Sequence, residues 1–214
     1  MCGIAAPLIF ALLVTVSGAM YEGYSHASQA ISELGGVEAQ EPLIQNLNFV
    51  VVGLLVIAFA FGLHQGIGQG RGSRAGPFLI GLFGVSAAVA QPLLPCDPGC
   101  EFETATGAMH NLTGMAGFLA AIAGIFLVAR RINEDPRWRS HGSYSLFTSL
   151  AALTALVLWI GVSKVAGVDD LNGVLQRVFI GIVLLWIGVI ATRIFWFSHQ
   201  ARQPSVQLGG GEPI

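Results

Sequence analysis

Residues 24–36 read YSHASQAISELGG, a polar stretch whose one formal charge is Glu33 and which contains no Lys or Arg. It lies between two strongly apolar runs. A polar, acidic segment in that position reads as a loop at one membrane face, with the rest of the chain arranged as helices that hold it there.

The composition supports this. Of 214 residues, 54% are hydrophobic and 10% charged, with a mean hydropathy of +0.70. Soluble domains carry about 25% charged residues. The deficit is too large for a water-facing surface, so lipid must cover most of the chain. No basic stripe suited to nucleic acid is present, and that class of partner is excluded.

Apolar runs long enough to cross a bilayer need about 20 residues. They fall at about 4–20, 43–66, 76–95, 106–131, 144–165 and 171–196. Lipid cannot satisfy open backbone groups, and nothing alternates as a barrel strand would, so each run is read as a helix. The expected fold is an all-α integral membrane protein, a six-transmembrane-helix bundle over residues 1–199. A short re-packed helix is expected in the outer loop near 25–35, and a disordered cytoplasmic tail over 200–214. Residues 1–6 carry no basic group, so the first run reads as a retained span rather than a cleaved signal peptide, although Ser17-Gly18-Ala19 resembles a cleavage site.

Charge fixes the expected orientation. Arg71, Arg74, Arg130, Arg131, Arg137, Arg139, Arg193 and Arg202 fall on one side of this layout. Loops 21–42 and 96–105 fall on the other, with Glu22, Glu33, Glu38, Glu41, Asp97, Glu101 and Glu103 and no cation. Short Lys/Arg-rich loops stay in the cytoplasm. Both termini are therefore expected inside and the acidic loops outside.

Small residues indicate packed faces: Gly114, Gly117, Ala121 and Gly124 in the fourth span, Gly81, Gly84 and Ala88 in the third, Gly181 and Gly188 in the sixth. His110 shares the fourth span's small face and is expected to point inward. Arg177 shares a face with Gly181, Leu184 and Gly188, and Gln176 lies beside it. A cation within a span requires a partner. Glu33, Asp97, Asp169, Asp170 and a lipid phosphate are the candidates. Snorkelling to the headgroups, a bundle-locking ion pair and a binding role all stay open for Arg177. An interhelical hydrogen bond is the plain reading of His110. Cys96-Asp-Pro-Gly-Cys100 is turn chemistry flanked by two thiols, and a disulfide is the expected state in an oxidising compartment. Thiolate metal ligation together with His110 is the looser alternative, because structural zinc favours four ligands. No GxSxG, HExxH, Walker or CxxCH motif occurs.

ISELGG after the first span, LPCDPG with Thr104 and Gly107 leading to His110, and GVLQRV with Trp186 resemble domain-of-unknown-function family 998, six-span proteins of bacteria and archaea. The resemblance covers nearly the whole chain and maps onto Ser32, Glu33, Leu34, Gly35, Pro95, Asp97, His110, Gln176 and Arg177. It implies six helices in a prokaryotic plasma (inner) membrane and no particular activity. Cys96 and Cys100 fall outside that pattern, which favours a local staple. The leading functional expectation is a non-enzymatic protein. It would bind a lipid headgroup, small ligand or membrane partner in an outward pocket containing Ser32, Glu33, Asp97, His110, Gln176 and Arg177. The rivals are an intramembrane metal-dependent lipid hydrolase and an accessory subunit of a larger membrane complex. Membrane lipids and other membrane subunits are the expected partners, and no cofactor or metal is expected.

Overall fold

The computed structural model describes residues 1–70, 72–162 and 169–200. The expectations for Arg71, Arg202 and all of the 200–214 tail but Gln200, which ends the last helix, lie outside the described residues. Among the described residues six helices are long and apolar enough to cross a membrane. They are α1 Cys2–Ala19, α2 Pro42–Gly66, α3 Ala75–Leu93, α4 Ala105–Ile132, α5 Arg139–Val162 and α6 Asn172–Gln200. The all-α, six-helix expectation holds. Each helix leaves large apolar side chains on the outside, such as Leu8, Phe61, Phe78, Leu112, Phe147 and Leu185. In water that would be untenable; against acyl chains it is the stable arrangement.

The helices pack in chain order around the bundle, α6 closes against α1, and α2 also reaches α6. The up-and-down topology puts loops 20–41 and 94–104 at one end, the acidic end. Loops 67–74 and 133–138 lie at the other, the basic end. Glycines set the closest approaches. A Cβ on Gly84 would meet the carbonyl oxygen of Gly53 at 2.8 Å, and one on Gly124 would meet Ile80 at 2.9 Å. Such contacts supply the dispersion that holds helices together in lipid. Gly181 behaves otherwise: it is exposed, and a Cβ added to it would meet no described atom within 4 Å. The expected seam on that face of α6 is therefore open at Gly181 but formed at Gly188, where a Cβ would lie 3.5 Å from Pro7 of α1, and the inward residue of the Gln176–Arg177 pair is Gln176, which is 3% exposed.

Two local features escape hydropathy. The first is a widened π turn at Ser86–Ala90 inside α3, in which Gln91 N–H donates to the Ser86 carbonyl. Pro92 supplies no N–H and its ring would collide with the carbonyl one turn back, and a wide turn just before it relieves both. The second is the start of α5. The basic stretch INEDPRWRSHGS reads as loop, yet helix begins at Arg139 after a 3-10 turn at Pro136–Trp138. Trp138 is fully buried there. The Ser145 hydroxyl donates to the His141 carbonyl and accepts from the buried Trp186 indole at 2.8 Å. These contacts anchor a polar turn that would otherwise be hydrated.

Candidate functional site

At the acidic end the YSHASQAISELGG loop docks on the first two turns of α6. Its last third is a 3-10 helix, Ile31–Gly35, and Glu33 caps it by accepting from the Ala30 N–H at 2.6 Å and from the Gln29 amide at 3.1 Å. Gln176 accepts from the Ile31 N–H at 2.5 Å, and the Val174 N–H donates to the Ala27 carbonyl. Gly173 permits the approach, since a Cβ there would lie 2.7 Å from the His26 carbonyl oxygen.

Arg177 is half-buried and clamps this loop. Nη1 donates to the carbonyls of Gln29 (2.9 Å) and Gly173 (3.0 Å), and Nη2 donates to the Tyr24 hydroxyl (2.6 Å) and to His26 Nδ1 (3.0 Å). The guanidinium carbon stands 5.7 Å from the Tyr24 ring centre. The Tyr24 hydroxyl donates its own proton to the Ala30 carbonyl at 2.9 Å. Burial raises the Tyr24 phenol above its usual range, with Arg177 opposing. Burial and then the Arg177 charge lower His26, so this imidazole is neutral at pH 7. All four partners of Arg177 are neutral, and no carboxylate forms an ion pair with it among the described residues. Of the candidate acids, Glu33 is engaged in its cap and Asp97 in a second cluster, Asp170 is exposed, and the Asp169 side chain lies outside the described residues.

That second cluster joins the 94–104 loop to α4. Asp97 is 4% exposed. Its carboxylate accepts from the Thr104 N–H (2.8 Å), the Thr104 hydroxyl (2.7 Å) and the Glu103 N–H (3.0 Å). The two Thr104 bonds hold the carboxyl below the ordinary carboxylate range. Thr104 in turn caps α4 by accepting from the Gly107 N–H at 3.0 Å. A side chain on Gly107 would overlap the Asp97 carboxylate. Cys96 and Cys100 form the expected disulfide, with a Cα separation of 4.9 Å. His110 is 4% exposed and its Nδ1 lies 2.6 Å from the Leu94 carbonyl oxygen. A carbonyl only accepts, so Nδ1 carries the hydrogen.

The six residues singled out from sequence thus fall into two groups. Ser32, Glu33, Gln176 and Arg177 belong with the first loop, Asp97 and His110 with the second. The Val37 N–H, which donates to the Cys96 carbonyl at 3.1 Å, joins the two loops. Beneath them lies a cavity of about 50 Å³ whose walls include Ser32, Gln91, Gly114 and Gln176. On a comparable measure a water needs about 10–15 Å³. Among the described residues the buried Nε2 of Gln91 has no partner, nor do Gln45 Nε2 and Asn48 Oδ1 on α2. Sequence reasoning passed over Gln45, Asn48, Tyr24, His26 and Gln29. The amide-rich Gln45-Asn46-Leu47-Asn48 inside an apolar span was an available signal, since amides within lipid must face protein.

The family described as "Protein of unknown function (DUF998)" matches residues 4–193. The chain belongs to this family. No curated protein and no solved structure matches it. The DUF998 match takes in part or all of every helix and both loop clusters.

Proposed function

We propose that this DUF998 protein is a multi-pass membrane protein that binds the phosphate of an anionic lipid headgroup at its acidic end, with Arg177 as the attracting charge. One observation carries the reading: a half-buried guanidinium whose partners are all neutral. Burying a cation without a counter-charge is costly in a low-dielectric setting, and neutral acceptors offset only part of that cost. A lipid phosphate at the headgroup level supplies the missing charge. The exposed His26 is the partner that such an oxygen replaces. The proposed setting is the outer leaflet of a prokaryotic plasma membrane, following from the positive-inside distribution of arginines.

The test is phospholipid per mole of detergent-purified protein, measured by phosphate analysis for wild type, Arg177→Ala, Arg177→Lys and Arg74→Ala. Arg74 borders a separate groove of about 670 Å³ between α2 and α3 at the basic end and serves as the control. Lipid retained by wild type and Arg74→Ala, reduced in Arg177→Lys and lost in Arg177→Ala is expected. Equal retention in all four overturns the reading.

A further inference from the structure

The second loop cluster holds a set of ligand atoms that the Arg177 reading does not use. Cys96, Cys100 and His110 place two sulfurs and an imidazole nitrogen within 4.8 Å of one another. Cys96 and His110 are buried, at 1% and 4% exposure, and Cys100 is intermediate. With Nδ1–H committed to the Leu94 carbonyl, His110 keeps its lone pair on Nε2. One imidazole nitrogen donating to a backbone carbonyl while the other stays basic is the orientation that metal-bound histidines adopt. Asp97 is not one of this group, and three hydrogen bonds from Glu103 and Thr104 hold its carboxylate in its own cluster.

We propose that, once the Cys96–Cys100 disulfide is reduced, Cys96, Cys100 and His110 bind one thiophilic dication of the zinc type. Two sulfurs and one nitrogen leave a fourth position for water or another ligand, the pattern of an open rather than a purely structural zinc site. Tetrahedral zinc at about 2.0–2.3 Å holds its ligand atoms about 3.3–3.8 Å apart, so once the S–S bond is broken the sulfurs move apart and the imidazole moves in to close the set. Reduction by a dithiol or phosphine delivers two electrons to the sulfurs, which take up two protons, and the reductant is oxidised. Binding the dication then releases both protons as the two thiolates coordinate it. The S–S bond and the metal therefore exclude one another, and the site reports the redox state of its compartment. It shares no residue with the Arg177 cluster, so either proposal can fail alone.

The experiment uses the full chain in detergent, with Cys2→Ser to remove the third thiol. Half is reduced with a phosphine and desalted without air, half is left oxidised, and both are titrated with Co²⁺ as a coloured stand-in for Zn²⁺. One cobalt per chain with thiolate charge-transfer absorption, displaced by zinc, is expected of the reduced form only. His110→Gln in the reduced form is expected to weaken binding at least about ten-fold. The inference is overturned if reduced and oxidised protein take up the same cobalt, a comparison that needs no change at the site. It is equally overturned if His110→Gln binds as tightly as its parent.

Discussion

Arg131 and Arg177 lie near opposite ends of the bundle, and their guanidinium groups are accommodated differently. Arg131, in the last turn of α4, is 9% exposed and reaches Glu134 at 3.2 Å, while the backbone at Gly68 and Gly70 packs against it. Arg177, in the second turn of α6, has four neutral acceptors drawn mainly from a loop roughly 150 positions away in sequence. The first is a compensated cation with its partner three residues along the chain. The second is a cation without a carboxylate partner among the described residues, and its hydrogen bonds fasten one loop to one helix. Charge compensation, rather than burial, separates a structural arginine from one suited to holding an anion.

The largest test of that contrast removes each guanidinium. Hydrogen bonds to a charged group contribute about 1.5–3 kcal/mol each and are not additive. Arg177→Ala is therefore expected to lose on the order of 3 kcal/mol or more. Arg131→Ala is expected to lose roughly half as much, because Glu134 returns to water. Thermal unfolding in detergent compares them, and equal losses would break the comparison. Next, Gly173→Ala pushes a methyl into the docked loop and is expected to cost about 1–3 kcal/mol. Gly181→Ala, on the open face of the same helix, is expected to be neutral or to gain up to about 1 kcal/mol. A comparable loss at both positions would mean that the loop does not dock as described.

A third test separates two acids by what holds them. Asp97 is lowered by neutral donors, Thr104 foremost; Asp135 is lowered first by the Arg137 side chain. A lowered folded-state pKa means that the native form binds the proton more weakly than the unfolded chain. The stabilisation is complete above the unfolded value of about 3.9 and disappears as pH falls through the folded value. Acidification should thus lower the unfolding temperature, and Asp97→Asn and Asp135→Asn should each flatten part of that fall. Added salt should weaken the Asp135 contribution and spare that of Asp97. Matching salt dependence would erase the distinction. The smallest expected effect is Glu134→Gln, under about 1 kcal/mol and shrinking with salt, because Glu134 is more than half exposed.

How far each feature could be read from sequence follows from the range of the interactions behind it. Spans were legible because lipid imposes a composition on every stretch that crosses it. The disulfide was legible because two thiols flank a tight turn, and the inward His110 because small residues share its face. The partners of Arg177 were not legible: the sequence offered carboxylates or a lipid phosphate, and only the fold brings Tyr24, His26 and Gln29 to it. Glu33 looked available until its own cap at Ala30 and Gln29 was visible. The stripe in α6 held at Gly188, which faces Pro7 of α1, and misled at Gly181, because glycine spacing marks a possible seam and the neighbouring helix decides where one exists. The helical start of α5 was hidden because its anchor, Trp186, is a distant contact.

The wide turn at Ser86–Ala90 has one further consequence. Each residue of an α-helix rotates the chain by about 100°, so one extra residue in a turn re-phases everything beyond it. Downstream lie Gln91, which lines the cavity, and Leu94, whose carbonyl orients His110. Shortening that turn by a single residue would swing the strap carrying Cys96 and Asp97 around the axis of α3. A one-residue insertion near a proline thus acts as the timing pin between a span and the loop it delivers.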